Sequence, residues 1–483
     1  MIKFIEIAMW RHDYNKVQTF LVALVAIVSL MLLETNALVR LPTAIAVAIG
    51  MAFLLPLVVS LRYFGWAPIY VLRFLLLGLP GVLVGGVVLS GKIPVLFTVS
   101  AMQYQTNAIA IQIVFLSILA LCSSYFGWLI AKPMQWKISA DCGSFTGDVF
   151  VVRYWFYFVL ALICGAFAAK ALGGLLWERS FNYVGMQPFM DIGVFSVFAC
   201  FSVIALYSLL LTTQNVGKGY WLGLGFVAAY VLVYCLLLRG ARLDVLGTLV
   251  ALFFLIVLHR RKQVGPWQLG GILAVAVAVV LVWGVLRHDS IGRGATLESI
   301  NGAFSLVLVQ ADGNAYLHLP NVADIVATLF QVVGLVDDGH LALQHGQSYL
   351  NYLPQTLPAF LYPDRPLSFS INNINGQVMT GSLFELAEAY ANFGVWGCFI
   401  VPGILTYLGA LANREAIKRG TFMSYLWYGI VLAIVLRGTW YQNFSFYKAP
   451  VSWLVVEAGV LLLVTLTSVM RRNKDGKVFR NGV

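Results

Sequence analysis

Glu385, Glu388 and Asn392 follow one another at a three-then-four spacing, which stacks two carboxylates and an amide on one stripe of a helix. A carboxylate so placed can take a proton from a hydroxyl, and the amide beside it can hold that hydroxyl in position. Burial next to a like charge raises the proton affinity of one member of such a pair, as a general base requires. The alternative is a polar clamp between helices, with Gly394 and Gly397 allowing close packing. His340 and His345, following Asp337 and Asp338, offer a second kind of base, because a neutral imidazole accepts a proton near ambient pH. Their spacing matches no metal-ligand signature, so neither metal nor cofactor is expected.

Four arginines add a different chemistry. Arg239 and Arg242 lie in the short turn Leu238-Arg-Gly-Ala-Arg-Leu-Asp244, Arg293 in Ile291-Gly-Arg-Gly294, and Arg437 in Leu436-Arg-Gly-Thr-Trp440. A guanidinium is a planar fork that matches two phosphate oxygens, and the adjacent glycines let a bulky ligand approach the backbone. The competing reading makes each of them an interfacial anchor, with Arg242 neutralised by Asp244. Tyr349, Tyr390, Asn392 and Trp440 are candidates to hold a sugar, against the alternative of an aromatic belt at headgroup depth.

The elements that position these residues are membrane helices. The 483 residues are 60% hydrophobic and 11% charged, and the mean hydropathy is +0.86. That is too apolar for a water-soluble globule of this length. A hydrocarbon core about 30 Å thick takes roughly 20 apolar residues as a helix, since lipid offers no partner for backbone N–H and C=O groups. About twelve segments reach that length: 17–33, 43–60, 71–89, 109–130, 151–172, 193–211, 221–238, 243–258, 267–286, 384–411, 422–436 and 451–470. The expected fold is therefore an all-α polytopic membrane protein. Residues 1–286 supply nine spans, 287–382 one large loop with short interfacial helices, and 383–483 three spans with a basic tail.

Lysines and arginines recur in alternate loops, at Arg62, Lys132, Lys218, Arg260 to Lys262, Arg414 to Arg419, and in the tail. Cytoplasmic flanks collect such residues, which places both termini in the cytoplasm and 287–382 outside it. The net charge of +11 follows from this bias and from facing anionic lipid, so nucleic acid is not an expected partner. The start has no cleavable-signal pattern, and the first span is expected to be retained. Six cysteines imply no disulfide framework. Within the loop, apolar residues from Val322 to Val333 recur at helical spacing over a run too short to cross a bilayer, which predicts an interfacial or re-entrant helix.

Three stretches together resemble the Wzy-type O-antigen polymerases. They are Glu388-Ala-Tyr-Ala-Asn-Phe-Gly394 with Gly397, the loop run Gly346-Gln-Ser-Tyr-Leu-Asn-Tyr-Leu353 leading to Tyr362-Pro-Asp-Arg-Pro366, and the Arg-Gly-Ala-Arg turn at 239–242. The resemblance implies a metal-independent glycosyltransferase of GT-C-like class in the bacterial inner membrane. Its substrates would be undecaprenyl-pyrophosphate-linked oligosaccharides, joined at the periplasmic face for O-antigen or exopolysaccharide synthesis. A chain-length regulator and a flippase are the partners implied, besides membrane lipids. Carried over, Arg239 and Arg242 hold pyrophosphate with help from Arg293 and Arg437, while Glu388, Glu385, His345 or His340 acts on the acceptor. This chain departs from the family in showing one large loop where two are usual. An O-antigen ligase shares the donor chemistry, and a lipid-linked-oligosaccharide flippase or transporter is the reading from another class. The ligase's His-Asn pattern is replaced here by Ser382-Leu-Phe-Glu385, and a transporter would show paired halves around a midplane site.

Overall fold

The computed structural model describes residues 2–35, 37–64, 67–89, 106–131, 147–170, 193–233, 242–260, 271, 308–311, 314–317, 320–356, 384–440 and 445–480. In chain order the helices are α1 (Ile2–Glu34), α2 (Thr43–Tyr63), α3 (Pro68–Leu89), α4 (Asn107–Ile130), α5 (Gly147–Lys170), α6 (Gly193–Thr212), α7 (Lys218–Val233) and α8 (Arg242–His259). They continue with α9 (Pro320–Asp337), α10 (Glu385–Arg419), α11 (Phe422–Trp440) and α12 (Ser445–Arg480). Among the described residues, nine helices are long and apolar enough to cross a membrane, and each falls on one of the twelve expected segments. Of the other three segments, 221–238 falls on α7, 243–258 is α8, and 267–286 lies outside the described residues apart from position 271.

The faces of these helices show which solvent they meet. Large apolar side chains stand exposed along α1, α2, α5 and α12, among them Phe20, Leu55, Trp155, Val455 and Leu462. In water such a surface would drive aggregation, whereas lipid tails cover it without cost. By contrast α4 is buried along nearly its whole length, with α1, α2, α3 and α10 around it. Two apolar cores result. One joins α5 to α8 with α11 and α12; the other joins α1, α2, α4 and α9, and α3 and α10 contribute to both.

The loop interval holds more structure than expected. Leu308–Ala311 and Asn314–Leu317 pair as two antiparallel strands, a local departure from an all-helical chain. Helix α9 does not lie over the bundle as an interfacial helix would. Its residues 326–335 are all buried, against α3, α4 and α10, including the polar Thr328 and Gln331.

The largest correction concerns α10, expected as one continuous span. Gly394 has φ 60° and ψ −143°, a backbone state open essentially to glycine alone, and it divides α10 into arms 385–393 and 395–419. The arms are antiparallel neighbours. Cys398 Sγ donates to the Leu386 carbonyl at 3.5 Å, and a Cβ on Gly397 would collide with the Ala389 carbonyl. In an unbroken helix residues 389 and 397 would lie about 12 Å apart at the usual 1.5 Å rise. The first arm therefore folds back along the second, with Gly394 at the tip and Glu385 farthest from it.

Candidate active site

Two acidic residues open the short arm, where the positive end of the helix dipole favours them. At its other end the last carbonyls have no intrahelical partners. The segment after α9 supplies them: Gln344 N donates to Ala391 O at 3.0 Å, and His345 N to Asn392 O at 2.9 Å. His345 and Gly346 adopt positive φ angles of 47° and 87° to make this turn.

The predicted stripe of Glu385, Glu388 and Asn392 is present, and all three side chains are fully buried. Each has a different task. Glu385 meets Arg73 of α3 in a two-pronged ion pair, Nη2 to Oε1 at 2.6 Å and Nη1 to Oε2. Arg73 also donates to Thr406 Oγ1 at 3.2 Å, Pro402 O at 3.2 Å and Thr439 Oγ1 at 2.8 Å. Thr406 and Pro402 belong to the second arm and Thr439 to α11, so Arg73 ties three elements to the foot of the first arm. Glu385 thus anchors the foot of the arm to Arg73.

One turn further along, Glu388 Oε1 accepts from Ser348 Oγ and from Tyr352 OH, each at 2.6 Å. Asn392 completes the stripe by donating to Ser348 Oγ at 2.7 Å while its own oxygen accepts from Gly346 N at 3.0 Å. Two single helical turns, Gln347–Leu350 and Tyr352–Gln355, carry these loop partners. Burial, and after it the Glu388 carboxylate, pushes the Tyr349 and Tyr352 phenols well above their ordinary range, so both stay protonated as donors. Tyr349 stacks on Phe393, ring centroids 6.3 Å apart, and Tyr447 of α12 approaches the ring of Tyr352 to 5.5 Å. Among the described residues, the buried Tyr349 hydroxyl has no hydrogen-bond partner.

Other expected residues lie elsewhere. Tyr390 points to the far side of the arm, donating to Asp337 at 2.7 Å and accepting from Gln112 at 2.9 Å. Trp440 spends its indole N–H on the Leu76 carbonyl at 2.9 Å. These bonds lead away from the group around Glu388, where Tyr349 and Asn392 lie. Arg437 pairs with Asp244, Nη1 lying 2.8 Å and 2.9 Å from the two carboxylate oxygens. The alternative of Asp244 neutralising Arg242 falls on a side chain outside the described residues. Arg242 is the first residue of α8, and its side chain, like Arg239 and Arg293, lies outside the described residues. His340 and His345 are exposed at the turn after α9. Among the described residues no three His, Cys, Asp or Glu side chains gather as metal ligands.

Sequence reasoning missed Arg73, Ser348 and Tyr447. It also missed a second buried pair, Arg153 of α5 with Glu457 of α12 at 3.4 Å, joined by Tyr157, whose hydroxyl donates to Glu457 at 2.6 Å. A signal existed for the two arginines. Each is an ionised group inside an otherwise apolar span, where charge is tolerated only with a partner. The chain matches no protein-family model, no curated protein and no solved structure.

Proposed function

We propose that this protein is a Wzy-type polymerase, which extends an envelope polysaccharide by joining undecaprenyl-pyrophosphate-linked repeat units at the periplasmic face of the bacterial inner membrane. One observation carries the reading: a buried carboxylate, Glu388, facing a loop through hydroxyl donors, beside the buried Tyr349 hydroxyl, which has no hydrogen-bond partner among the described residues. A sugar is a ligand rich in both hydroxyl donors and oxygen acceptors, and aromatic rings such as Tyr349, Tyr352 and Tyr447 suit its apolar faces.

In the reaction proposed, a hydroxyl of the incoming unit displaces a loop hydroxyl from Glu388 and gives up its proton to that carboxylate. Its oxygen bonds to the anomeric carbon of the growing chain, the bond from that carbon to the diphosphate breaks, and lipid diphosphate leaves. Arg239, Arg242 and Arg293 are the groups assigned to the charge developing on the diphosphate, with Arg437 joining them by exchanging Asp244 for it. Fixed cations in a water-poor cleft stabilise such charge without having to reorganise, and loss of one typically costs on the order of 100-fold or more in rate.

The test is Arg239→Ala and Arg242→Ala at normal membrane levels. Both are expected to leave single repeat units on the lipid carrier. Wild-type chain lengths in both variants would contradict the assignment.

A further inference from the structure

We infer that Arg73 is the positioning residue that sets the orientation of Glu388. The catalytic consequence rests on the polymerase reading above; the structural consequence rests on geometry alone. A guanidinium has five N–H donors, and in Arg73 all are used: one on Thr406, two on the Glu385 carboxylate, one on Thr439 and one on Pro402. Both members of the ion pair are buried, at 1% and 0% exposure. The foot of the arm is therefore fixed in direction as well as place, because a fork matched to a carboxylate tolerates little rotation.

That fixation matters because the arm is short and has only two ends. Its tip is held by the loop amides on Ala391 and Asn392, and its foot by Arg73. Glu388 lies between, one turn from the foot. A rotation of the arm about its own axis would carry the Glu388 carboxylate away from Ser348 and Tyr352. Lysine at position 73 would keep the positive charge but lose the fork, and a single ammonium cannot serve Glu385, Thr406, Thr439 and Pro402 together.

Native Cys398 reports the arm's position. It is fully buried and its thiol points at the Leu386 carbonyl in the arm's first turn. In a background that keeps Cys398 alone of the six cysteines, we would compare Arg73→Lys with Arg153→Lys, measuring maleimide labelling in membranes and single-turnover polymerisation. Arg73→Lys is expected to lower kcat by on the order of 100-fold with KM little changed, the size of effect that small misplacements produce. It should also make Cys398 label several times faster. Arg153→Lys should lower stability while leaving turnover per folded molecule and Cys398 protection as in the wild type. Thr439→Val removes one Arg73 bond and provides a milder case, with smaller changes in both readouts in the same direction.

Wild-type turnover and a protected Cys398 in Arg73→Lys would overturn the inference, as would equal changes in Arg153→Lys. If Arg73→Lys does not accumulate, unchanged turnover and labelling in Thr439→Val would overturn it. Should the unaltered protein fail to polymerise, the functional reading falls, and Cys398 labelling still decides the role of Arg73.

Discussion

Arg73–Glu385 and Arg153–Glu457 are both buried ion pairs between helices, yet they join different kinds of structure. The second links α5 to α12, with Tyr157 bridging and the Phe422 ring 4.9 Å from the guanidinium carbon. It lies in the core formed by α5 to α8, α11 and α12, and the elements it connects are continuous helices. The first holds the foot of an arm that reverses at Gly394, and one turn beyond that foot stands Glu388 with two loop hydroxyls on one oxygen. Desolvation makes neither pair a large net source of stability, although removing one partner from either is costly. What separates them is the neighbouring group. Arg153 fixes helices to each other, whereas Arg73 fixes the arm that carries Glu388, the carboxylate proposed as the base.

The sharpest way to break this comparison is Arg153→Met. It leaves the buried Glu457 carboxylate without its guanidinium, at a cost of about 3–5 kcal/mol, and should appear as a large fall in thermal stability in detergent or as loss of protein from the membrane. The double variant Arg153→Met with Glu457→Met is expected to recover most of that loss. A smaller effect is expected at the tip of the arm. Gly394→Ala forces a side chain into a conformation that only glycine adopts readily, costing about 1–3 kcal/mol, and Cys398 should become more accessible to maleimide. Smallest is Asn392→Ala, which removes the acceptor for Gly346 N and the donor to Ser348. Its cost should be about 1 kcal/mol, seen as faster proteolysis of the 344–356 segment with little change in overall unfolding temperature.

Much of the architecture was legible because membrane spans are written as uninterrupted apolar runs, and among the described residues nine of them recur as helices long and apolar enough to cross a membrane. The stripe at 385, 388 and 392 was also legible, since helical periodicity does not depend on what the helix packs against. The reversal at Gly394 was not. The apolar pattern continues through it without a break, and a glycine there reads equally well as a close-packing residue. Nor could the partner of Arg73 be read, because it lies 312 positions away in the chain. A buried charge announces that it needs a counterion without naming which. Similar reasoning applies to α9, whose apolar stripe left an interfacial and a re-entrant helix both open. Thr328 and Gln331 went inside as well, so the whole turn is enclosed. Ser348 and Tyr352 stood in a recognisable loop motif, but nothing local directs their hydroxyls to Glu388.

The central claim is that Glu388, held beneath the loop by an arm pinned at Arg73, takes the proton of an acceptor sugar. Purified protein in liposomes, given lipid-diphosphate-linked repeat units alone, tests it most directly when wild type and Glu388→Gln are compared for product length. The account predicts ladders of longer glycans from the wild type, and single units from a Glu388→Gln protein that folds normally. Ladders of equal length from both, or movement of intact units across the bilayer without any new glycosidic bond, would contradict it.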